Sequence, residues 1–456
     1  MTARHDNLRR RAALCVALAG LLASATAAAQ TTTPTPTTPP DQDQDQEGDS
    51  TEQGQTHIED TFGSLTHDEW VRETRRKAWE DTEWDVNLRS YYLSRDKYDD
   101  TESEAWALGG WAGFKTGYFR EWFSFGATLY GSGPLYAPDE KDGTLLLKPG
   151  QEGYLVLGEA YGEALLSEDV RLTLGAKRFE TPFINSNDSR MTPNTFLAGV
   201  AQGLHGDPKS SRGEWRWGAG YFDKIKERNS DEFVSMTDDA GASIKRGVYA
   251  AGVNYTRGDL VVGGINYWAS NVINIFYTEA RYAVPIGGNA KFKFAGQFVD
   301  QRSVGDNMLD GTDFSAQQYG VKAELAAGGV LLTTAYTNAH GDRDLQAPWS
   351  GYPGYTSVQV EDFNRAGEDA WLIRAQYTWP KELGISTYLA YVAGSDPDAA
   401  SAYGRGETDF NLQWSPPEGM LKGLLVRLRY ARVNQDDPGD TDLNDLRVMV
   451  FYDIPL

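Results

Sequence analysis

One cysteine, Cys15, occurs in 456 residues, so no intrachain disulfide can staple the fold and no thiolate cluster can hold a metal. Basic residues are also outnumbered, 43 Lys and Arg against 65 Asp and Glu, for a formal net charge of −22. That balance argues against nucleic-acid binding, whose footprint is basic. Beyond one N-terminal run there is no stretch of the roughly 20 apolar residues that a spanning helix needs. With 24% charged residues the chain is too polar for a bundle of membrane helices. Histidine is scarce as well. His5, His57 and His67 precede the body of the chain, and His205 and His340 fall in connectors. No G-x-S-x-G, H-E-x-x-H or phosphate-cradling glycine loop occurs, and Gly48-Asp49-Ser50 lies in a low-complexity tail. These absences argue against an enzyme, and no cofactor or metal is expected.

Glycine and aromatics are plentiful: 48 Gly, 13 Trp, 24 Tyr and 18 Phe. Together with the missing helical signal they point to extended, all-β structure. At the N-terminus Arg4, Arg9, Arg10 and Arg11 precede an apolar run at 12–23 and small residues through Ala29. This is the anatomy of a signal peptide, 1–29, cleaved before Gln30. Residues 30–66 form an acidic Thr/Pro/Gln-rich tail, in which 31–60 carry eight acids, no Lys or Arg, and Ile58 as the one aliphatic. Such a segment buries too little apolar surface to offset its ordering entropy and is expected to be disordered. Thr66 and Glu69 have capping-box spacing, which predicts a short helix over 67–80.

From 81 to 456 the pattern alternates with the period of a strand. Arg171, Thr173, Gly175 and Lys177 oppose Val170, Leu172, Leu174 and Ala176; Trp371, Ile373 and Ala375 oppose Leu372, Arg374 and Gln376. Eighteen such segments can be marked, each with about 21 residues including its connector, against the roughly 9–11 that span a bilayer. Short connectors such as 166–169, 258–259 and 328–329 alternate with long ones such as 131–152, 179–197, 224–246, 301–316 and 339–367. The link at 271–272 is short where a long one belongs. Aromatics recur at strand ends, as with Trp84 and Tyr92, Trp122 and Tyr130, and Trp371 and Trp379. Short periplasmic turns, long external loops and aromatic girdles predict a transmembrane antiparallel β-barrel of about eighteen strands in an outer membrane. A barrel of that size is expected to hold a water-filled interior.

The segment RFETPFINSNDSRMTPNTF at 178–196 resembles the third loop of OprD-type outer-membrane porins, an N-D-S-R-x-x-P-x-T-F stretch after the fifth strand. DVNLRSYYLSRD at 85–96 is similar to that family's first strand. LKGLLVRLRYARVN and NDLRVMVFYDIPL resemble its last two. The resemblance implies a passive channel for small solutes, often carboxylates, in which loop 179–197 folds inward and Asn187, Asp188, Ser189 and Arg190 form a constriction.

On the alternating faces, Arg171, Lys177, Arg216, Arg281, Lys291, Lys293, Lys322, Arg374, Arg427 and Arg429 oppose the apolar side. A basic stripe on a pore wall favours anions. Glu159, Glu163, Glu279, Glu324, Glu407 and Asp409 share that face and would pair with some of these cations. The expected partners are small hydrophilic solutes, possibly carboxylates, and membrane lipid. The protomer would be a monomer or a trimer, since lipid-facing and subunit-facing apolar surfaces read alike. The alternative is a structural or adhesive barrel without selective transport.

Overall fold

The computed structural model describes residues 55–455 apart from 64, 289, 396, 400, 401 and 437–441. The expected signal peptide and residues 30–54 of the acidic tail lie outside the described residues. The strands are β1 (Glu83–Asp96), β2 (Glu102–Lys115), β3 (Phe123–Tyr136), β4 (Tyr154–Ser167), β5 (Val170–Lys177), β6 (Thr195–Gly206), β7 (Glu214–Lys226), β8 (Val234–Ser235), β9 (Val248–Arg257) and β10 (Leu260–Ala269). They continue as β11 (Ile273–Gly287), β12 (Ala290–Ser303), β13 (Ser315–Ala327), β14 (Val330–Gly341), β15 (Asp369–Thr378), β16 (Ile385–Ser395), β17 (Arg405–Trp414), β18 (Leu424–Gln435) and β19 (Asp442–Asp453).

Every neighbour pair is antiparallel, and β7 pairs directly with β9, so the two-residue β8 lies outside the ring. The ring closes because β1 pairs with both β2 and β19; Tyr91 faces Ala107 on one side and Met449 on the other. Eighteen strands thus form a closed antiparallel barrel, the arrangement that leaves no backbone edge in lipid.

Burial runs opposite to that of a soluble sheet. Leu88, Leu174 and Ile373 are at least half exposed, whereas Arg89, Thr173 and Leu372 beside them are buried. The exposed apolar set forms the lipid face. Transferring one such side chain from water into an apolar phase contributes roughly 1.5–3 kcal/mol. Trp84, Trp122, Trp371 and Trp379 are exposed, but Tyr130 is fully buried. Trp122 sits in the turn before β3, so strand parity does not pass through it. Tyr130 shares the inward face of β3 with Ser124 and Thr128, which are also buried.

The tight turn Gly328-Gly329 has positive φ at both residues, 57° and 85°, the twist that suits a two-residue hairpin. The short link at 270–272 is real. Asn271 takes the left-handed conformation at φ 63°. Its carbonyl accepts from the Met308 N–H at 2.7 Å and its amide donates to Asp306 at 2.8 Å. The neighbouring loop, 304–314, is therefore anchored on this turn.

The interior departs from the expected water-filled space. Phe183 and Ile184 from loop 178–194, Met236 from loop 227–247, and Trp349 and Tyr352 from loop 342–368 pack with Tyr267, Tyr277 and Val299 of the wall. External loops have turned inward and built an apolar core inside the barrel.

The N-terminal segment needs two corrections. The expected disorder to residue 66 fails for its last part: Ile58–Asp60 form a 3-10 helix, and Thr56, His57, Ile58, Thr61 and Phe62 are buried. Side-chain bonds from the barrel wall supply the ordering energy that the segment's own composition lacks. The helix α1 (His67–Thr74) begins as its capping box requires, with Thr66 accepting from the Glu69 N–H and Glu69 reaching back. It ends six residues short of 80, because Lys77 bridges to Tyr118 and the Gly117 N–H donates to the Ala78 carbonyl.

Candidate functional site: the barrel lumen

Loop 178–194 follows β5 and crosses the lumen. On one wall Asp188 receives both Nη atoms of Arg89 on β1, at 2.6 and 2.8 Å. On the other, Phe183 packs edge-to-face on Tyr267 of β10 and Tyr277 of β11, and its N–H donates to the Tyr267 hydroxyl at 3.2 Å. The loop is shorter than expected, since β6 starts at Thr195 and takes Phe196 and Leu197.

The four motif residues are brought together. Asn187 lies in the left-handed region at φ 41°, a conformation Asn tolerates better than most residues. Its side-chain oxygen accepts from Arg228 at 2.7 Å and from the Ser189 hydroxyl at 3.1 Å. Arg228 also donates to the Ser189 hydroxyl at 2.6 Å. Arg190 is buried, and donates to the Thr144 carbonyl at 2.9 Å and the Ser189 carbonyl at 2.8 Å. Burial, then the repulsion of Arg447 and Arg228, lowers the pKa of the Arg190 guanidinium. Arg228 is pushed down to about 10, chiefly by the same loss of water. Burial conversely raises the Glu180 carboxyl.

A second inward loop, 342–368, carries no length or spacing signal beyond that of a long external connector. Trp349 donates to the Met236 carbonyl at 2.8 Å, Tyr352 to Gln318 at 2.9 Å, and Tyr355 to Glu279 at 2.6 Å. Its Val360 and Glu361 N–H groups both donate to Glu407 at 2.8 Å, and the Gln359 N–H to Asp409 at 3.1 Å. The acids expected on the lumen wall therefore act partly as anchors for a loop. The available signal was composition: five large apolar or aromatic side chains (Trp349, Tyr352, Tyr355, Val358, Phe363) sit in one connector and must be buried somewhere.

All ten residues of the predicted stripe sit on the inward face. Arg171 is held by Glu73 of α1 at 2.7 Å and lies over the Trp70 ring. Lys177 pairs with Glu163. Arg216 donates to Glu214 at 2.7 Å and to the Leu65 carbonyl at 2.6 Å. Arg281 pairs with Glu59. Lys291 lies 3.7 Å from Asp259, and Lys293 stands opposite Glu324 in the ladder. Lys322 lies over the Tyr355 ring at 4.6 Å, and Arg374 over Tyr388 at 4.9 Å. Arg427 donates to Gln413 at 2.7 Å, and buried Arg429 to the Tyr388 hydroxyl at 3.1 Å. Sequence reasoning missed Arg89, Arg228 and Arg447. Arg447 binds Asp445 at 2.6 Å, an acid that is fully buried on β19.

An eighteen-strand barrel with an apolar outer face and loops drawn into a charged lumen is a channel architecture. The family model for outer membrane porins of the OprD family matches residues 77–456. The chain belongs to the OprD family. It is therefore an integral outer-membrane channel of Gram-negative type, in a family of non-enzymatic porins. Among solved structures, Pseudomonas aeruginosa OccK9 (OpdG) is similar with a TM-score of 0.73 at 22% identity, covering 84% of this chain and 100% of that one. Acinetobacter baumannii OccAB3 gives 0.73 at 18% identity, covering 82% and 99%. Pseudomonas aeruginosa OpdK, solved with vanillate, gives 0.69 at 19% identity, covering 83% and 99%. At these identities the structural likeness concerns the OprD fold. No curated protein matches the chain.

Proposed function

We propose that this OprD-family porin passes small hydrophilic anions, carboxylates in particular, down their gradient. The opening is set by loop 178–194, with Asn187, Asp188, Ser189 and Arg190 at its inner turn, and the preference by the basic wall. The observation that carries this reading is the spacing of cations along the ladder from β11 to β15. Arg281 faces Ala295, Ala295 faces Lys322, and Lys322 faces Ala335; Arg374 on β15 faces Ala390. Alanine beside each cation adds no bulk of its own to the wall there, so a carboxylate that displaces Glu59 from Arg281 or the Tyr355 ring from Lys322 meets a guanidinium or an ammonium group. The vanillate found in OpdK is a carboxylate, which agrees with this choice.

The test is the reversal potential of purified protein in a planar bilayer under a potassium chloride gradient. A potential of the sign set by chloride supports the reading, and Lys322→Gln with Arg374→Gln should move it toward zero. Cation preference would overturn it and turn attention to Glu324 and the other lumen acids. A folded barrel without current would favour the structural role instead.

A further inference from the structure

Residues 55–63 cross the lumen without joining the sheet. Side chains of the inward wall hold them. The Ile58 N–H donates to Glu279 at 3.0 Å, Asn254 donates to the Ile58 and Thr61 carbonyls, and the Thr56 hydroxyl donates to Glu180 at 2.9 Å. The His57 ring stacks obliquely on Tyr355 at 5.6 Å and its Nδ1 lies 3.6 Å from Glu279. Phe62 lies against Gly218, where a β-carbon would overlap its ring. The segment thus touches β7, β9, β10 and β11 and both inward loops, and continues into α1, which is fastened to the β4–β5 turn through Trp70 and Glu168. It lies on the periplasmic side of the two loops.

Its contacts fall on the cations of the stripe. The Glu59 carboxylate pairs with Arg281. The Gly63 and Leu65 carbonyls take Arg216. Glu73 takes Arg171 at 2.7 Å and Lys115 at 2.5 Å. A cavity of about 250 Å³ remains between this segment, α1 and the wall at Lys177 and Arg178.

We propose that residues 55–63, together with α1, are an internal strap that presents its own carboxylates to the basic wall and competes there with anionic solutes. The inference rests on the anion-channel reading above. A solute carboxylate that takes Arg281 from Glu59 weakens the strap's hold, so the solute promotes the opening of its own path. Because side chains rather than a strand ladder hold the strap, its release breaks few bonds at once.

The test uses the full-length channel carrying Thr61→Cys. Thr61 is a fully buried residue of the strap itself, and with Cys15 in the expected signal peptide the new thiol stands alone in the mature protein. Maleimide labelling is followed with benzoate as the anionic probe and benzyl alcohol as the neutral one. Benzoate should speed labelling by about fivefold or more, the scale of an ordinary coupling between two sites, and benzyl alcohol should not. Glu59→Gln, and separately Gly218→Val, which displaces Phe62 without changing charge, should label fast without benzoate and raise single-channel conductance. Slow labelling that benzoate leaves unchanged, in a channel whose reversal potential is anionic, overturns the strap while leaving the anion channel intact. Labelling equally fast in the parent and in Glu59→Gln overturns docking. A cation-selective reversal potential removes the anion reading and the competition with it.

Discussion

Arg89 and Asp188 join the barrel wall to the lumen loop through two parallel hydrogen bonds, 2.6 and 2.8 Å long. The Arg89 guanidinium is also clamped between the Trp111 and Phe451 rings, 4.3 and 4.4 Å from their centroids. Removing one partner of a buried ion pair leaves the other uncompensated and costs roughly 3–5 kcal/mol; because Asp188 is about a third exposed, the lower end applies. Arg89→Ala should therefore loosen loop 178–194, raise single-channel conductance and lower the temperature at which the barrel unfolds on a gel. Unchanged conductance would show that the loop keeps its place without the pair.

Trp349 tests the second inward loop independently. Its indole is buried and its N–H bonds the Met236 carbonyl. Trp349→Ala should cost about 3–5 kcal/mol as a large-to-small core change and make loop 342–368 sensitive to added protease. Phe298→Ala, on the same barrel but on its lipid face, should leave proteolysis unchanged.

The outer loops carry a pH response at Asp239. Burial, then the nearby Glu227 and Asp238, raise its carboxyl to about 8. A raised folded-state value means that the folded loop holds the proton more tightly than the unfolded chain does. The stabilisation is full below the ordinary value of 3.8 and is lost as pH rises through about 8. Current noise from loop 227–247 should grow between pH 7 and pH 9. Asp239→Asn should flatten that rise.

The seating of α1 depends on Asp169, which accepts from His67 at 2.7 Å and lies 3.3 Å from His205. The His67 hydrogen bond is the main cause of its lowered carboxyl pKa. A lowered folded-state value gives stability that is present above the ordinary 3.8 and lost as pH falls through the folded value. All three groups are a third or more exposed, so the contribution is at most about 1 kcal/mol. Hydrogen exchange at 67–74 should speed up in Asp169→Asn by no more than about fivefold.

The barrel could be read from the sequence because the two-residue period acts on every strand: an inward Arg171 and an outward Leu174 follow from parity alone. The ion partners could not. Glu59 reaches Arg281 from a stretch whose composition announces disorder, Glu73 reaches Arg171 from the short helix that follows it, and no local pattern signals that a wall far along the chain will hold either. Parity also says nothing of where a loop goes. The motif at 187–190 carried a resemblance and so was singled out, whereas loop 342–368 had only its aromatics to speak for it. Tyr130 shows the converse: its place at a strand end suggests the aromatic girdle, whereas its parity on β3 puts it in the lumen.

The seam between β1 and β19 bears on how the molecule is made. It joins Glu83–Asp96 to Asp442–Asp453, so the ring is completed by the two extremes of the body. Until then both outer strands carry unpaired amides, which hydrocarbon does not tolerate. A nascent chain extending only through β18 has no membrane-competent form. Closure must wait for β19, and this most distant of contacts is the one that releases a finished barrel into the bilayer.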